Sequence, residues 1–225
     1  METYLQYYND SLNDLNKKAR KNIFFNDNQI QTLTVKQYII LCYDILITNF
    51  LIYSCKRLYG LPWNIIFVDN QLENGYPHTH YDTIFMPIHR YFSLSKHERI
   101  KLLIHEKFHV YQRYYPIEFN KMLFNEFDLK VETLLKEHKD FEHIRMNPDL
   151  NNLIYSDQGE YYLQNFNENA YSLADSTKKV YNETTKNTKY KQLYPNEHPY
   201  ETFAYYISDL IVNKKKIDKK LIKYM

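Results

Sequence analysis

The chain has 225 residues, with 29 basic and 27 acidic side chains and a net charge of +2. That length suits one domain with its own core, and a 44% hydrophobic, 25% charged composition is that of a globular protein. The balanced charge lacks the clustered basic excess of a nucleic-acid binder, so no nucleic-acid partner is expected.

The 24 Tyr, 13 Phe and only 3 Gly follow from AT-rich codon usage rather than from a use of the tyrosines. Cys42 and Cys55 form no CxxC pair, which leaves out a thiolate zinc site and fits a reducing compartment. Residues 1–22 are polar and lack the basic start and apolar run of a signal peptide, so an intracellular location is expected.

In chain order, residues 3–20 predict an exposed helix. Residues 34–59 predict a long, mostly buried helix, starting near Thr34 and stopped by Gly60 and Pro62. Its apolar core, Tyr38 to Tyr53, is shorter than the roughly 20 residues of a membrane span. It also contains Asp44 and Asn49, so a core helix is expected and no membrane partner. Trp63–Asp69 reads as a strand, residues 70–75 as a turn, and His80–Met86 as a second strand closed by Pro87.

Ser95 followed by Glu98 is a capping box that opens a helix over Lys96–Tyr114, ended by Pro116. Ile100, Ile104, Phe108 and Tyr111 recur on its core face. Residues 118–138 predict an amphipathic helix. Residues 140–195 read as polar and irregular, with turns at Asn147-Pro148-Asp149 and Gln158-Gly159. A last helix is expected over Pro199–Val212, entered through Asn196 or His198.

The expected whole is a single α+β domain, mostly helical. N-terminal helices occupy 1–60, a small sheet 61–90, a central helix 94–115 and a later helix 196–213. Residues 214–225 read as a solvated basic tail.

The central helix carries His105-Glu106-Lys107-Phe108-His109. Residues four apart lie one turn apart on one helix face, so both imidazoles can reach one metal ion. Glu106 lies about 100° round the helix and can reach a water on that metal without binding the metal itself. Zinc that keeps an open position needs a third protein ligand. The short Gly-containing link to a third His used by metzincins is absent, since Pro116, Ile117, Glu118 and Phe119 follow. The best candidate is Glu201 in His198-Pro199-Tyr200-Glu201-Thr202-Phe203-Ala204-Tyr205, with Ala204 small enough for close helix packing; Glu197 and His198 are fallbacks.

This pattern, HEKFH on a helix after a strand and then ExxAY on a later helix, resembles the gluzincin branch of the zincin metallopeptidases. It is similar to small metallopeptidase-like proteins of bacteria and large DNA viruses. The resemblance implies a zincin-like fold and Zn2+ held by His105, His109 and Glu201. It implies Glu106 as general base and acid, and a protein or peptide substrate. Two departures stand out: a long polar insert before Glu201, and Tyr205 where an Asp four residues after the third ligand is expected.

His198, Tyr205 and Tyr111 are candidates for stabilising the oxyanion, and Asp82 or Asp128 for orienting a ligand imidazole. The strand ending at Pro87 is a candidate edge for an added peptide strand, and His78 with His80 a candidate second metal pair. The alternative function is a catalytically inactive zincin-fold binding or virion structural protein. The sequence assigns no oligomeric state.

Overall fold

A computed structural model describes residues 13–19, 29–170, 172–193, 197–215 and 217–225. Most of the predicted first helix, residues 3–12, and Asn196 lie outside these residues. The described part of that helix, α1 (Asp14–Ala19), is not free-standing. Its amides fasten it to a distant loop: Asn13 Nδ2 donates to Phe141 O (2.7 Å) and Asn16 Nδ2 to Ile144 O (2.7 Å).

Helix α2 spans Val35–Ile52, and Thr34 and Gln37 cap it reciprocally. It ends sooner than predicted. A turn at 53–55 separates it from the short α3 (Lys56–Tyr59). It is also not mostly buried. Only Leu41, Asp44, Thr48 and Ile52 are buried, whereas Leu46 is 67% and Phe50 82% exposed. The inner side is therefore mixed, with Asp44 and Thr48 buried beside Leu41 and Ile52, and large apolar residues also lie on the outer side. Asp44, fully buried, accepts from Arg99 Nε (2.6 Å) and from Tyr91 Oη (3.0 Å).

The first sheet follows. Strand β1 (Asn64–Val68) pairs in parallel with β3 (Thr83–Pro87), and β2 (His78–His80) pairs antiparallel on the far side of β3. The sheet order β1-β3-β2 places β3 in the centre, so it is not the expected peptide-docking edge. The edge strand β2 is closed as well. His78 and His80 face Phe85 and Thr83 in the ladder, which turns the Thr79 backbone outward. There the Thr79 N–H donates to Asp149 Oδ1 (2.7 Å) and its C=O accepts from Arg113 Nη2 (3.1 Å).

After α4 (Ile88–Ser93), the Ser95–Glu98 box opens α5 (Lys96–Tyr114) as predicted. From Leu103 to Gln112 every residue of α5 is buried. A helix enclosed on all sides belongs at the centre of a domain. Leu103, Ile104 and Phe108 share one core cluster with Phe203, Ala204 and Ile207 of α7 (Pro199–Val212).

Helix α6 (Pro116–Phe127) starts on Pro116 and stops at Asp128, whose φ of 56° is left-handed. The predicted helix over 118–138 is therefore cut short, and β4 (Leu129–Leu134) replaces its second half. The span read as irregular contains β5 (Leu153–Asp157), β6 (Tyr161–Phe166) and β7 (Ser176–Tyr181), paired β4-β5 and β6-β7. Their polar and tyrosine content hides the alternation that would announce strands. The expected Gln158-Gly159 turn joins β5 to β6, with φ of 54° and 91°.

The described lysines of the basic tail are exposed as expected, but its end is anchored. Helix α8 (Lys219–Ile222) leads into buried Tyr224 and Met225, and the Met225 carbonyl accepts from the Leu58 N–H (3.0 Å).

The buried Asp44–Arg99 pair ties α2 to α5. Removing one member of a buried pair leaves the other charge uncompensated. Asp44→Ala is expected to cost about 3–5 kcal/mol in urea unfolding, against about 1 kcal/mol for loss of the cap in Thr34→Ala.

Candidate metal centre

Helix α5 offers His105 and His109 on one face, and α7 brings Glu201 across from them. The His105 and His109 Nε2 atoms lie 3.1 Å apart. Glu201 Oε2 is 3.4 Å from the first and 3.7 Å from the second. These three are the group of candidate ligands found among the described residues. Two donors each about 2.0–2.1 Å from a tetrahedral zinc sit roughly 3.3 Å apart. The donor triangle therefore has the size a zinc ion requires, and its chemistry, two imidazoles and a carboxylate, fits the same ion.

The surroundings aim these donors. His109 Nδ1 donates to Gln112 Oε1 (2.9 Å), which leaves the Nε2 lone pair pointing inward. Gln112 Nε2 in turn donates to the Tyr200 carbonyl (2.9 Å), so one side chain links a ligand to the ligand-bearing helix opposite. Glu201 Oε1 accepts from Asn147 Nδ2 (2.8 Å), which holds Oε2 toward the imidazoles. His105 Nδ1 is buried and makes no hydrogen bond among the described residues.

Electrostatics concentrate negative charge here. Burial works against protonation of His109, yet the Asp149 and Glu201 carboxylates outweigh it and push the imidazole up to about 9. Burial would raise Glu201, but His109 and His105 hold its carboxyl well below the usual range. Glu106, 2% exposed, is pushed well above it by burial and by Asp149, and its Oε2 makes no hydrogen bond among the described residues. A cation at the triangle reverses that preference, because nearby positive charge favours the carboxylate.

The site opens on a cleft of about 460 Å3, whose wall includes Tyr76, His78, Leu102, Glu106, Arg145 and Tyr205.

The other sequence-derived candidates divide. The Tyr205 ring lies on His105 at 4.4 Å between centroids and lines the cleft. His198 does not serve there. It caps α7, with Nδ1 accepting from the Tyr200 N–H (3.2 Å) and Nε2 facing the Leu153 carbonyl (3.1 Å), so both nitrogens are committed. Tyr111 donates to the Tyr224 carbonyl (2.9 Å) in the core.

Glu197 pairs with Lys178 (2.8 Å) rather than with the imidazoles. Asp82 accepts from Asn64 (2.8 Å), and Asp128 ends α6; neither orients a ligand. His78 stacks on Phe85, and no third ligand joins it and His80 among the described residues.

Sequence reading missed Gln112, Asn147 and Asp149. Gln112 was within reach, because it lies three residues past His109 on the same face. Asn147 and Asp149 showed only as a turn.

No protein-family model, no curated protein and no solved structure gives a significant match to this chain.

Purified protein is expected to hold one zinc per chain by elemental analysis. His105→Ala, His109→Ala and Glu201→Ala each abolish that binding, and Asn147→Ala weakens it roughly 10- to 100-fold. Independently of any metal, burial pushes the His198 imidazole down to about 4. The unfolded chain takes up this proton near pH 6.5 and the folded chain only near pH 4. The resulting stability is therefore full above pH 6.5 and is lost as pH falls toward 4, by roughly 3 kcal/mol at most. In urea titrations at pH 7 and pH 5, His198→Asn, which keeps a capping side chain, is expected to lose less stability on acidification than wild type.

Proposed function

We propose that the protein is a zinc-dependent peptidase of gluzincin-like, zincin-type architecture that hydrolyses peptide bonds in a protein or peptide substrate. His105, His109 and Glu201 hold the ion, and Glu106 is the general base. The observation that carries this reading is the convergence of three zinc-sized donors beside a buried carboxyl, Glu106 Oε2, that makes no hydrogen bond among the described residues.

Zinc, when bound, lowers the pKa of a coordinated water toward about 7 and polarises the scissile carbonyl. The chain's own residues do the rest. Glu106 takes the proton of the attacking water and delivers it to the leaving amine. Burial and the Glu201 charge raise the Tyr205 phenol, so it keeps its proton at neutral pH and can donate to the developing oxyanion. Asn147 holds Glu201 in its inward orientation. His198 has no part in this chemistry. The substrate enters along the cleft rather than as an added strand, since the outward groups of Thr79 are already bonded.

The alternative is a zincin-type protein that binds and does not cleave. A peptide-library assay separates the two. Glu106→Gln is expected to keep its zinc and to lose at least about 100-fold in kcat, and Tyr205→Phe to lose less. Equal activity of wild type and Glu106→Gln would overturn the peptidase reading.

A further inference from the structure

The outward face of α2 has no role in the metal centre. Val35, Tyr38, Ile39, Tyr43, Leu46 and Phe50 are all exposed and follow one another down one side of the helix. Within α2 no charged residue falls among them: Asp44 is buried, and Lys36 lies at the margin. The stripe runs about 23 Å at 1.5 Å per residue. A contiguous apolar surface of that length marks a contact site.

Its rim is cationic. Lys36 is exposed beside its start, Lys56 sits over the Tyr53 ring (4.0 Å) just beyond its end, and Lys96 sits over the Tyr43 ring (4.6 Å) midway. The exposed acid close to Lys96, Glu98, is committed to the Ser95 capping box.

We propose that this face docks the protein onto an anionic lipid bilayer, with α2 lying in the headgroup region. The exposed apolar and aromatic side chains offer a surface for the boundary between headgroups and acyl chains, and anionic lipid complements the lysines at its margin. A second copy fits less well. Antiparallel pairing would set Lys36 against Lys56, and parallel pairing Lys36 against Lys36.

Contrary to the expectation from the shorter run Tyr38–Tyr53, the full helix Val35–Ile52 is by length and composition apolar enough to cross a membrane, but it lies on the surface instead. Its inner side is packed in the core through Leu41 and Ile52, and Asp44 is bonded to Arg99. Insertion would break that pair.

The test is co-sedimentation of the full chain with phosphatidylcholine vesicles, with and without phosphatidylserine, alongside light scattering of the protein alone. Expected are a monomer, binding that requires phosphatidylserine and is lost in high salt, and binding weakened roughly tenfold or more in Leu46→Glu/Phe50→Glu. Those positions are exposed, so the variant should retain the wild-type circular dichroism spectrum. Lys36→Ala/Lys96→Ala provides a second, charge-only arm with the same direction of effect. The proposal is overturned by absence of binding, by equal binding without phosphatidylserine, or by a stable dimer that Leu46→Glu/Phe50→Glu dissociates.

Discussion

Everything in the candidate centre depends on the close crossing of α5 and α7. Two imidazoles one turn apart cannot complete a zinc site, and the third donor has to arrive from another element at a donor separation near 3.3 Å. Fully buried Ala204 permits the approach, and Phe203 packs edge-on against Phe119 (5.8 Å) and Phe127 (4.7 Å) to fix the angle. Gln112 then couples packing to chemistry, because the amide that orients His109 also holds the Tyr200 carbonyl. A shift between the helices would misplace Glu201 and release His109 together.

The crossing also gathers charge. Glu106, Glu201 and Asp149 stand around two imidazoles at the wall of the cleft, with Arg113 at 3.8 Å from Asp149 as the adjacent cation. Buried carboxyls are costly unless something compensates them, and His105, His109 and Glu201 form a cluster that could hold a compensating metal ion. The turn 147–149 contributes twice, with Asn147 on Glu201 and Asp149 on Thr79, so the long insert before α7 forms part of the centre and is no mere spacer.

Away from the centre, α2 departs from the usual arrangement of a surface helix. Asp44 and Thr48 are buried beside Leu41 and Ile52, while Tyr38, Leu46 and Phe50 are exposed. The Asp44–Arg99 pair lets this arrangement stand. It satisfies the buried charge and ties the helix to the start of α5, some two turns before the first ligand.

The sequence by itself determined what is local. The Ser95–Glu98 cap, the span of α5 and the shared face of His105 and His109 all follow from neighbours within four residues, and so does the start of α7 on Pro199. Glu201 was legible because a first-turn carboxylate and Ala204 one turn later form a recognisable helix-packing pattern. Tertiary structure decided the rest. Whether α2 presents its apolar side inward depends on the partner Asp44 finds 55 residues away. Asp149 becomes part of the centre only because Thr79, 70 residues earlier, holds it there. His198 is instead held by a carbonyl on β5, a strand of five residues too short to show a period. Contacts across such distances are set by how elements pack, and local spacing carries no record of them.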